Sequence, residues 1–377
     1  MTDVHVTGVG MHPFGRFEDT GVIELGVHAV RAALDEAGLS GGGFQAAFCG
    51  TAYAGVAAGH RVLGALGLTG VPIVDVEAGC ASGGAAIQLA AAAIRAGQYD
   101  TALVFGIEKM SRGLIRSSYF DPWQERAGLT PAPAYFALRA QRLLRESELT
   151  KSHLAQVCVK NRAHGATNPD AMFQKEVTEE QVLDSRVVCE PLHLWMLCAP
   201  NEGAAAVVLS SERAAGPDVL LRAAALRSHL PGSVLSEATP LSGIDDTDIT
   251  PPTTLAATDA YEEAGVGPGD LDVVECQDTD AARELLSYEE LGLCQPGEQA
   301  RMLAGGDVRL GGRLPVNPSG GLLSKGEPLG ASALGQVVEL VSQLRGTAGH
   351  RQVDGARVAL SHTVGRGANA GVVVLST

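Results

Sequence analysis

One order of secondary-structure signals occurs twice along the chain, and this repetition constrains the fold more than any other feature. An amphipathic pattern that stops at Gly38 predicts a helix over Ile23–Ala37, and the apolar run Phe44–Gly50 predicts a strand. The same pair returns as a helix over Thr254–Ala264 and a strand over Asp272–Cys276. Two copies at this length predict an α/β protein built from two duplicated halves, each a mixed sheet covered by helices.

Each half then continues with a strand, a glycine-containing turn, a helix and another strand. We expect the active site where the two halves meet. The first half has predicted strands over Ile73–Val76 and Ala102–Phe105 with an Ala-rich helix between them, and the second has strands over Leu314–Val316 and Val358–Leu360 with a helix over Leu329–Leu344.

Residues 112–195 interrupt the repeat and contain two further predicted helices, near Tyr135–Arg145 and His153–Asn161. Long insertions between core elements usually carry binding function, so we predict an inserted loop or lid region here. The predicted division of the chain is an N-terminal half over 1–111, the insertion over 112–195, a return to the N-terminal half with a connection over 196–250, and a C-terminal half over 251–377.

Cys80 lies in the segment EAGCASGG, where a β-branched run gives way to the Ala-rich helix of the first half. A cysteine in the first turn of a helix feels the positive end of the helix dipole and unpaired N–H groups, which favour the thiolate and can hold an oxyanion. Its position leaves two interpretations, a nucleophile or a small buried side chain. For the remaining cysteines we expect buried, unreactive side chains: Cys49, Cys158, Cys189, Cys198, Cys276 and Cys294.

The composition excludes several classes of function. Of the 377 residues, 45% are hydrophobic and 19% charged, which predicts a globular protein large enough for two cores. A formal net charge of −15 without a basic stripe predicts no nucleic-acid partner. The apolar stretch Ile87–Ile94 is far shorter than a bilayer span, so we expect no membrane partner. Cysteines without CxxC pairs and the lack of a secretory leader predict a cytoplasmic protein, and we expect no metal site.

Six motifs, in order, resemble the thiolase superfamily, most closely its sterol-carrier-protein and lipid-transfer branch. They cover essentially the whole chain: VTGVGMHPFGRF, GCASGGAA, FGIEKMSRG, NEGAAAVVL, ECQDTDAARELLSYEELGLC and NPSGGLLSKGEPLGAS. The resemblance implies a five-layered αβαβα fold, a homodimer, and acyl transfer from coenzyme A thioesters as substrates without a tightly bound cofactor. It also implies that Cys80 is the residue that becomes acylated, with amides of its turn forming part of an oxyanion hole.

The chain departs from the family in the motif GEPLGA. Thiolases have GHPLGA there, with a histidine that helps activate the nucleophilic cysteine and stabilise the enolate oxygen, and the residue in this chain is Glu327. An ionised carboxylate disfavours an adjacent thiolate, whereas a carboxyl group can act as a general base or, when protonated, donate a hydrogen bond. We predict that Glu327 is catalytic and leave its role as base, acid or structural group open.

A second departure lies in the loop where the branch has HDCF. The chain lacks both the histidine and the cysteine of that motif, and only the aspartate matches. The loop is predicted to contribute polar groups to the site through Gln277, Asp278, Thr279 and Asp280.

The C-terminal motif LSHTVGRG resembles the branch's QHNLGIGG and contains His362. This residue is the remaining imidazole that the resemblance places near Cys80, where it would serve as the base of a Cys–His pair. The alternative is a strand-end histidine bonded to backbone. The backbone amides of Val364 and Gly365 are predicted to complete the oxyanion hole.

The chain thus lacks the histidines and the cysteine that the resemblance assigns to forming and stabilising the enolate of a second thioester. It keeps the Cys80 turn, which the resemblance assigns to formation of the acyl-enzyme. We therefore predict an acyltransferase of specialised metabolism that takes an acyl group from coenzyme A or an acyl carrier protein onto Cys80 and passes it to an O, N or carbon nucleophile. Two alternatives stay open, an aldolase that cleaves a β-hydroxyacyl thioester with a small OB-fold partner and an inactive homologue that binds acyl-CoA or lipid. Lys160 and Arg162 in the insertion are candidate contacts for coenzyme A phosphates, or solvated surface charges.

Overall fold

The computed structural model describes residues 2–113, 122–213, 216–231, 249–365 and 369–377. The strands in these ranges are β1 His5–Gly15, β2 Ala46–Gly50, β3 Ile73–Val76, β4 Thr101–Lys109, β5 Val187–Cys189, β6 Leu192–His193, β7 Glu202–Ser210, β8 Leu220–Arg227, β9 Val273–Glu275, β10 Val358–Val364 and β11 Ala370–Ser376. The helices are α1 Val22–Glu36, α2 Ala58–Leu66, α3 Ser82–Arg95, α4 Pro122–Arg126, α5 Ala132–Glu146, α6 Lys151–Gly165, α7 Glu179–Asp184, α8 Pro252–Ala264, α9 Ala281–Glu290, α10 Gln299–Ala304, α11 Gly321–Lys325 and α12 Leu329–Arg345.

The two halves of the chain have the same sheet topology. In the first half the strand order is β3–β2–β4–β7–β1, with β3, β2 and β4 parallel and β7 antiparallel to both of its neighbours. In the second half β9 is parallel to β10, and β11 is antiparallel to both β10 and β8. A parallel bridge between Val274 and Val316 adds a further segment beside β9. The duplicated α/β fold that the sequence predicts is therefore confirmed.

Helices and sheets alternate in five layers. The central helices α3 and α12 contact strands of both halves, and the two sheets join along one edge, where His5 of β1 pairs with Leu220 of β8. On the outer faces, α1 and α2 cover the first sheet, and α8 and α9 share a hydrophobic cluster with the second. The first turn of α3, which follows Cys80, therefore lies in the layer between the halves.

The outer layer of the first half depends on small residues in β1. A Cβ at Gly10 would lie 2.2 Å from the carbonyl oxygen of Ala29, and one at Gly8 would lie 2.2 Å from that of Ala33. Both positions therefore allow α1 to approach the strand closely. The buried side of α1, which includes Leu25 and Val30, packs into this contact as its amphipathic pattern predicts.

The inserted segment packs on the C-terminal half, where α5 and α6 contact α9 and α6 also contacts α11. One predicted strand, Leu314–Val316, is reduced to the single bridge at Val316, because the chain leaves the extended conformation at Asn317, where φ is +56°. The division of the chain at 111, 195 and 250 stays a prediction. No helix within the described ranges combines the length and the apolar character needed to cross a bilayer.

Candidate active site

Cys80 lies in a short 3-10 turn, Gly79–Ala81, directly before α3. Its side chain is 8% exposed and lines a cavity. Ser82 fixes the turn, because its hydroxyl accepts from the Ala78 N–H at 2.9 Å and donates to the Gly79 carbonyl at 2.6 Å. The thiol is thus held at the positive end of α3, where the helix dipole favours a thiolate.

The C-terminal loop touches the Cys80 turn from the other half of the molecule. A Cβ at Gly365 would lie 1.9 Å from the Ala78 carbonyl oxygen, so only glycine permits this approach. The Gly365 N–H donates to the Asn369 carbonyl at 2.7 Å and is therefore engaged within its own loop rather than directed to an oxyanion. Val364, at the end of β10, lines the cavity beside Gly365.

Glu327 lines the same cavity as Cys80 and is 5% exposed. Its two carboxylate oxygens accept from different donors: Gln277 Nε2 lies 3.0 Å from Oε1, and Cys198 Sγ lies 3.2 Å from Oε2. The backbone is fixed as well, because the Glu327 N–H donates to the Ala199 carbonyl at 2.9 Å. The side chain of Glu327 is thus held from two sides at the cavity wall.

Cys198 is the member of this group that the sequence did not reveal as a site residue. Burial raises the pKa of its thiol well above the ordinary value, and the neighbouring charges of Glu327 and Cys80 add to the rise. The thiol is therefore a neutral S–H donor at neutral pH. The one available signal was its position in the sequence, four residues before the return strand β7. In the structure its N–H donates to the Thr279 carbonyl at 2.9 Å, which places Cys198 beside the polar loop after β9.

Of the four polar side chains in the loop after β9, two line the cavity and two hold the loop in place. Gln277 and Thr279 line the cavity, whereas Asp278 and Asp280 do not. Asp278 accepts from the Leu322 N–H at 2.7 Å, and burial together with the nearby Glu284 raises its pKa well above the ordinary value. Asp280 caps α9 through the Arg283 N–H at 3.0 Å and forms an ion pair with Arg139. The two aspartates hold the loop in place.

His362 is fully buried and does not line the cavity. Its Nε2 lies 3.0 Å from Thr253 Oγ1 in α8, so the ring faces the outer helical layer of the C-terminal half. Burial and the nearby Arg283 lower the pKa of His362 well below the ordinary value, which keeps the imidazole neutral. The structure therefore does not bring together His362 and Cys80, because the ring of His362 is held in the core at Thr253 of α8.

The two basic residues of α6 have different surroundings. Lys160 is fully buried, donates to the Val316 carbonyl and forms an ion pair with Glu284 at 2.9 Å, so its ammonium group is engaged in the core rather than exposed for a phosphate. Arg162 lines the cavity, and its guanidinium lies 4.1 Å from the centre of the Phe173 ring.

The cavity itself has a volume of about 630 Å³ and a mostly apolar wall to which the insertion contributes extensively. Its shape and lining are those of a site for a small organic group. Aromatic and aliphatic side chains of the wall include Tyr135, Phe136, Met172, Phe173, Trp195, Leu197 and Leu329.

Comparison with known proteins agrees with this architecture. The chain matches the family model "Thiolase, N-terminal domain" over residues 4–213 and the model "Thiolase C-terminal domain-like" over residues 236–377. It is 36% identical over 393 residues to acetyl-CoA acetyltransferase of Methanothermobacter thermautotrophicus, with all of both chains covered. It is 35% identical to sterol carrier protein 2 of Bos taurus, covering 99% of this chain and 71% of that protein.

Among solved structures, the Ltp2-ChsH2(DUF35) aldolase superposes with a TM-score of 0.87 at 25% identity, covering 100% of this chain and 98% of that chain. The family models account for both halves, and full-length relatives share more than a third of their residues with the chain. The chain therefore belongs to the thiolase superfamily of enzymes, in the group that includes sterol carrier protein 2.

Proposed function

We propose that the protein is an acyltransferase that forms an acyl-enzyme on Cys80 from a thioester of coenzyme A or an acyl carrier protein. The observation that carries the proposal is that the Cys80 thiol, at the start of α3, shares one cavity with a carboxylate held by two donors, Glu327. The acetyl-CoA acetyltransferase relative supports the same general kind of chemistry.

In the first half-reaction the Cys80 sulfur attacks the thioester carbonyl. The bond from the carbonyl carbon to the donor sulfur breaks, and the donor leaves as a free thiol that carries the proton lost by Cys80. The helix dipole at the start of α3 stabilises the attacking thiolate. The product is an acyl group in thioester linkage to Cys80.

In the second half-reaction an acceptor with an O–H, N–H or activated C–H attacks that thioester. Glu327 takes the proton of the acceptor as the new bond to the carbonyl carbon forms, and the Cys80 sulfur leaves and recovers a proton. Gln277 and Cys198 orient the carboxylate for this step through their hydrogen bonds to its two oxygens.

The experiment is to incubate the protein with acyl-CoA donors of increasing chain length and to measure the mass of the intact chain. We expect an adduct of one acyl group on the wild type and none on Cys80→Ser. Cys294→Ser is the matched control, because Cys294 is a half-buried thiol that does not line the cavity, and this variant should acylate like the wild type. If no thioester acylates the wild type, or if the adduct persists in Cys80→Ser, the proposal is wrong.

A second candidate is an aldolase that cleaves a β-hydroxyacyl thioester together with an OB-fold partner. It is favoured by the close superposition on the Ltp2-ChsH2(DUF35) aldolase. Such a reaction would not pass through an acyl group on Cys80. Release of a ketone or aldehyde from a β-hydroxyacyl-CoA, at equal rates in the wild type and Cys80→Ser, would select this candidate. Stoichiometric binding of acyl-CoA with neither reaction would instead indicate an inactive homologue.

We further propose that the protein assembles as a homodimer, as its membership of the thiolase superfamily implies. Light scattering coupled to size-exclusion chromatography should give twice the mass of one chain. A mass equal to one chain at micromolar concentration would contradict this.

A further inference from the structure

Arg162 is a buried cation at the wall of the Cys80 cavity. Its side chain belongs to α6 and is 8% exposed, and the guanidinium stacks on Phe173 at 4.1 Å. Its Nε has no hydrogen-bond partner, and no carboxylate in the described parts of the chain forms an ion pair with it. A buried charge without a partner is costly, so this arrangement calls for an anion from outside the chain.

Arg162 differs in this respect from the other arginines that line the cavity. Each of those donates to an acceptor of the protein or reaches solvent: Arg16 donates to the Met110 and Pro200 carbonyls, Arg139 forms an ion pair with Asp280 although its Nε has no partner, Arg283 pairs with Glu290, and Arg186 is exposed.

The groups around Arg162 do not neutralise its charge, and they leave its N–H groups open to an anion. Burial lowers the pKa of the guanidinium, and the one neighbouring group that opposes this shift is Cys158, whose own thiol is kept neutral because burial raises its pKa far above the ordinary value. Stacking on Phe173 occupies a face of the guanidinium and leaves its in-plane N–H groups as donors. That edge matches the two oxygens of a carboxylate, which guanidinium groups bind in a bidentate manner.

We propose that Arg162 binds a carboxylate at the far end of the acyl group carried by Cys80, so that the enzyme selects thioesters of dicarboxylic acids. The inference rests on the proposed function, because an acyl group on Cys80 must occupy the cavity that Arg162 lines. The apolar wall around Phe173 and Met172 accommodates the carbon chain between the thioester and the carboxylate. A coenzyme A phosphate is the competing anion, and the experiment separates the two.

The experiment measures the rate of acylation of Cys80 by N-acetylcysteamine thioesters, which carry no phosphate. The matched probes are the succinyl, glutaryl and adipyl thioesters and their monomethyl esters, which have the same chain without the charge. In the wild type we expect the free acid of the best-fitting length to react at least about tenfold faster than its methyl ester, as for a hydrogen bond between charged groups.

Two variants locate the preference. Arg162→Met keeps an unbranched side chain against Phe173 but removes the charge, so this variant should react no faster with the acids than with their methyl esters, and the ratio of these two rates is the readout. Arg162→Lys should retain part of the preference, because it keeps the charge without the bidentate fork.

Three results would overturn the inference. One is a wild type that reacts equally with acids and methyl esters at every length. Another is an Arg162→Met variant that keeps the preference. The third is a variant slowed with coenzyme A thioesters but not with N-acetylcysteamine thioesters, which would assign Arg162 to a phosphate. If Arg162→Met does not fold, the wild type and Arg162→Lys decide the matter.

Failure of the proposed function gives a different pattern, namely no acylation of Cys80 by the methyl esters, the acids or any coenzyme A thioester. In that case ligand-observed NMR with free glutarate tests the anion site directly. Binding to the wild type that is lost in Arg162→Met supports the site, and equal binding or none rejects it.

Discussion

Cys198 donates its S–H to Glu327, with 3.2 Å between Sγ and Oε2, at the wall of the cavity that contains Cys80. The relationship gives the site a second thiol that is chemically unlike the first. Burial raises the pKa of Cys198, so it remains a neutral donor, whereas Cys80 lies at a helix N-terminus that favours the thiolate. One cysteine is placed to attack, and the other to orient the carboxylate that we propose as the base.

Replacing Cys198 should affect transfer rather than acylation. Cys198→Ala removes one of the two donors to Glu327, and we expect the acyl-enzyme to form at the wild-type rate but to pass its acyl group to the acceptor about tenfold more slowly. Cys198→Ser keeps a donor and should restore most of the rate. Time-resolved mass spectrometry of the intact protein follows both steps. A slower first step in Cys198→Ala would show that the thiol acts on Cys80 instead.

Glu327→Gln keeps the size of the side chain and removes its ability to accept a proton. We expect Cys80 to become acylated and then to remain acylated, with transfer slowed by about a hundredfold or more, as for loss of a general base. The readout is the fraction of acyl-enzyme in the steady state, which should rise in the variant. Equal slowing of both steps would mean that Glu327 acts before transfer or supports the structure of the site.

The positions of many helices and turns could be predicted from the sequence, because each depends on residues close together in the chain. The amphipathic spacing that predicts the helix Ile23–Ala37 reflects the burial of one face of α1, and Gly79, with a φ of +60°, reflects the turn that the chain makes before α3. The resemblance to thiolases then fixes how such elements assemble, and both halves of the fold follow it.

The side-chain partners at the site are harder to predict from local pattern, because they depend on contacts between segments that are distant in the sequence. His362 and Val364 are two residues apart, yet one bonds to Thr253 in α8 and the other lines the cavity. Cys198 has the apolar neighbours of an ordinary core cysteine, and its contact with Glu327 joins segments 129 residues apart. No local pattern encodes a contact of that kind.

Acid should destabilise the protein through His164. Its Nδ1 lies 2.9 Å from the Asn317 carbonyl and its Nε2 accepts from the Leu310 N–H at 3.1 Å, and burial lowers its pKa to about 3. Below about pH 6.5 the unfolded chain protonates this histidine while the folded chain does not, so the unfolded state binds more protons and stability falls with pH. Between pH 6.5 and pH 5 we expect the titration of His164 to lower the free energy of unfolding by about 2 kcal/mol.

Denaturant unfolding at pH 7 and pH 5 tests this contribution. Between these two pH values the free energy of unfolding should fall by about 2 kcal/mol less in His164→Gln than in the wild type, since glutamine does not titrate. The comparison isolates His164 from other buried groups, including His362 and Asp278, that titrate in both proteins. Identical losses in the two proteins would show that His164 is protonated in the folded state.

Gly365→Ala should disable Cys80 from the opposite half of the molecule. The added Cβ would lie 1.9 Å from the Ala78 carbonyl, so the C-terminal loop or the Cys80 turn must move. Because Ser82 ties that turn to α3, we expect the displacement to reach the thiol, with acylation slowed by at least about tenfold and a loss of stability of about 1–3 kcal/mol. Gly41→Ala is the control, since no atom lies near its added Cβ and both acylation and stability should be unchanged. Wild-type acylation in Gly365→Ala would show that the loop yields without disturbing the nucleophile, and that contact between the halves does not position Cys80.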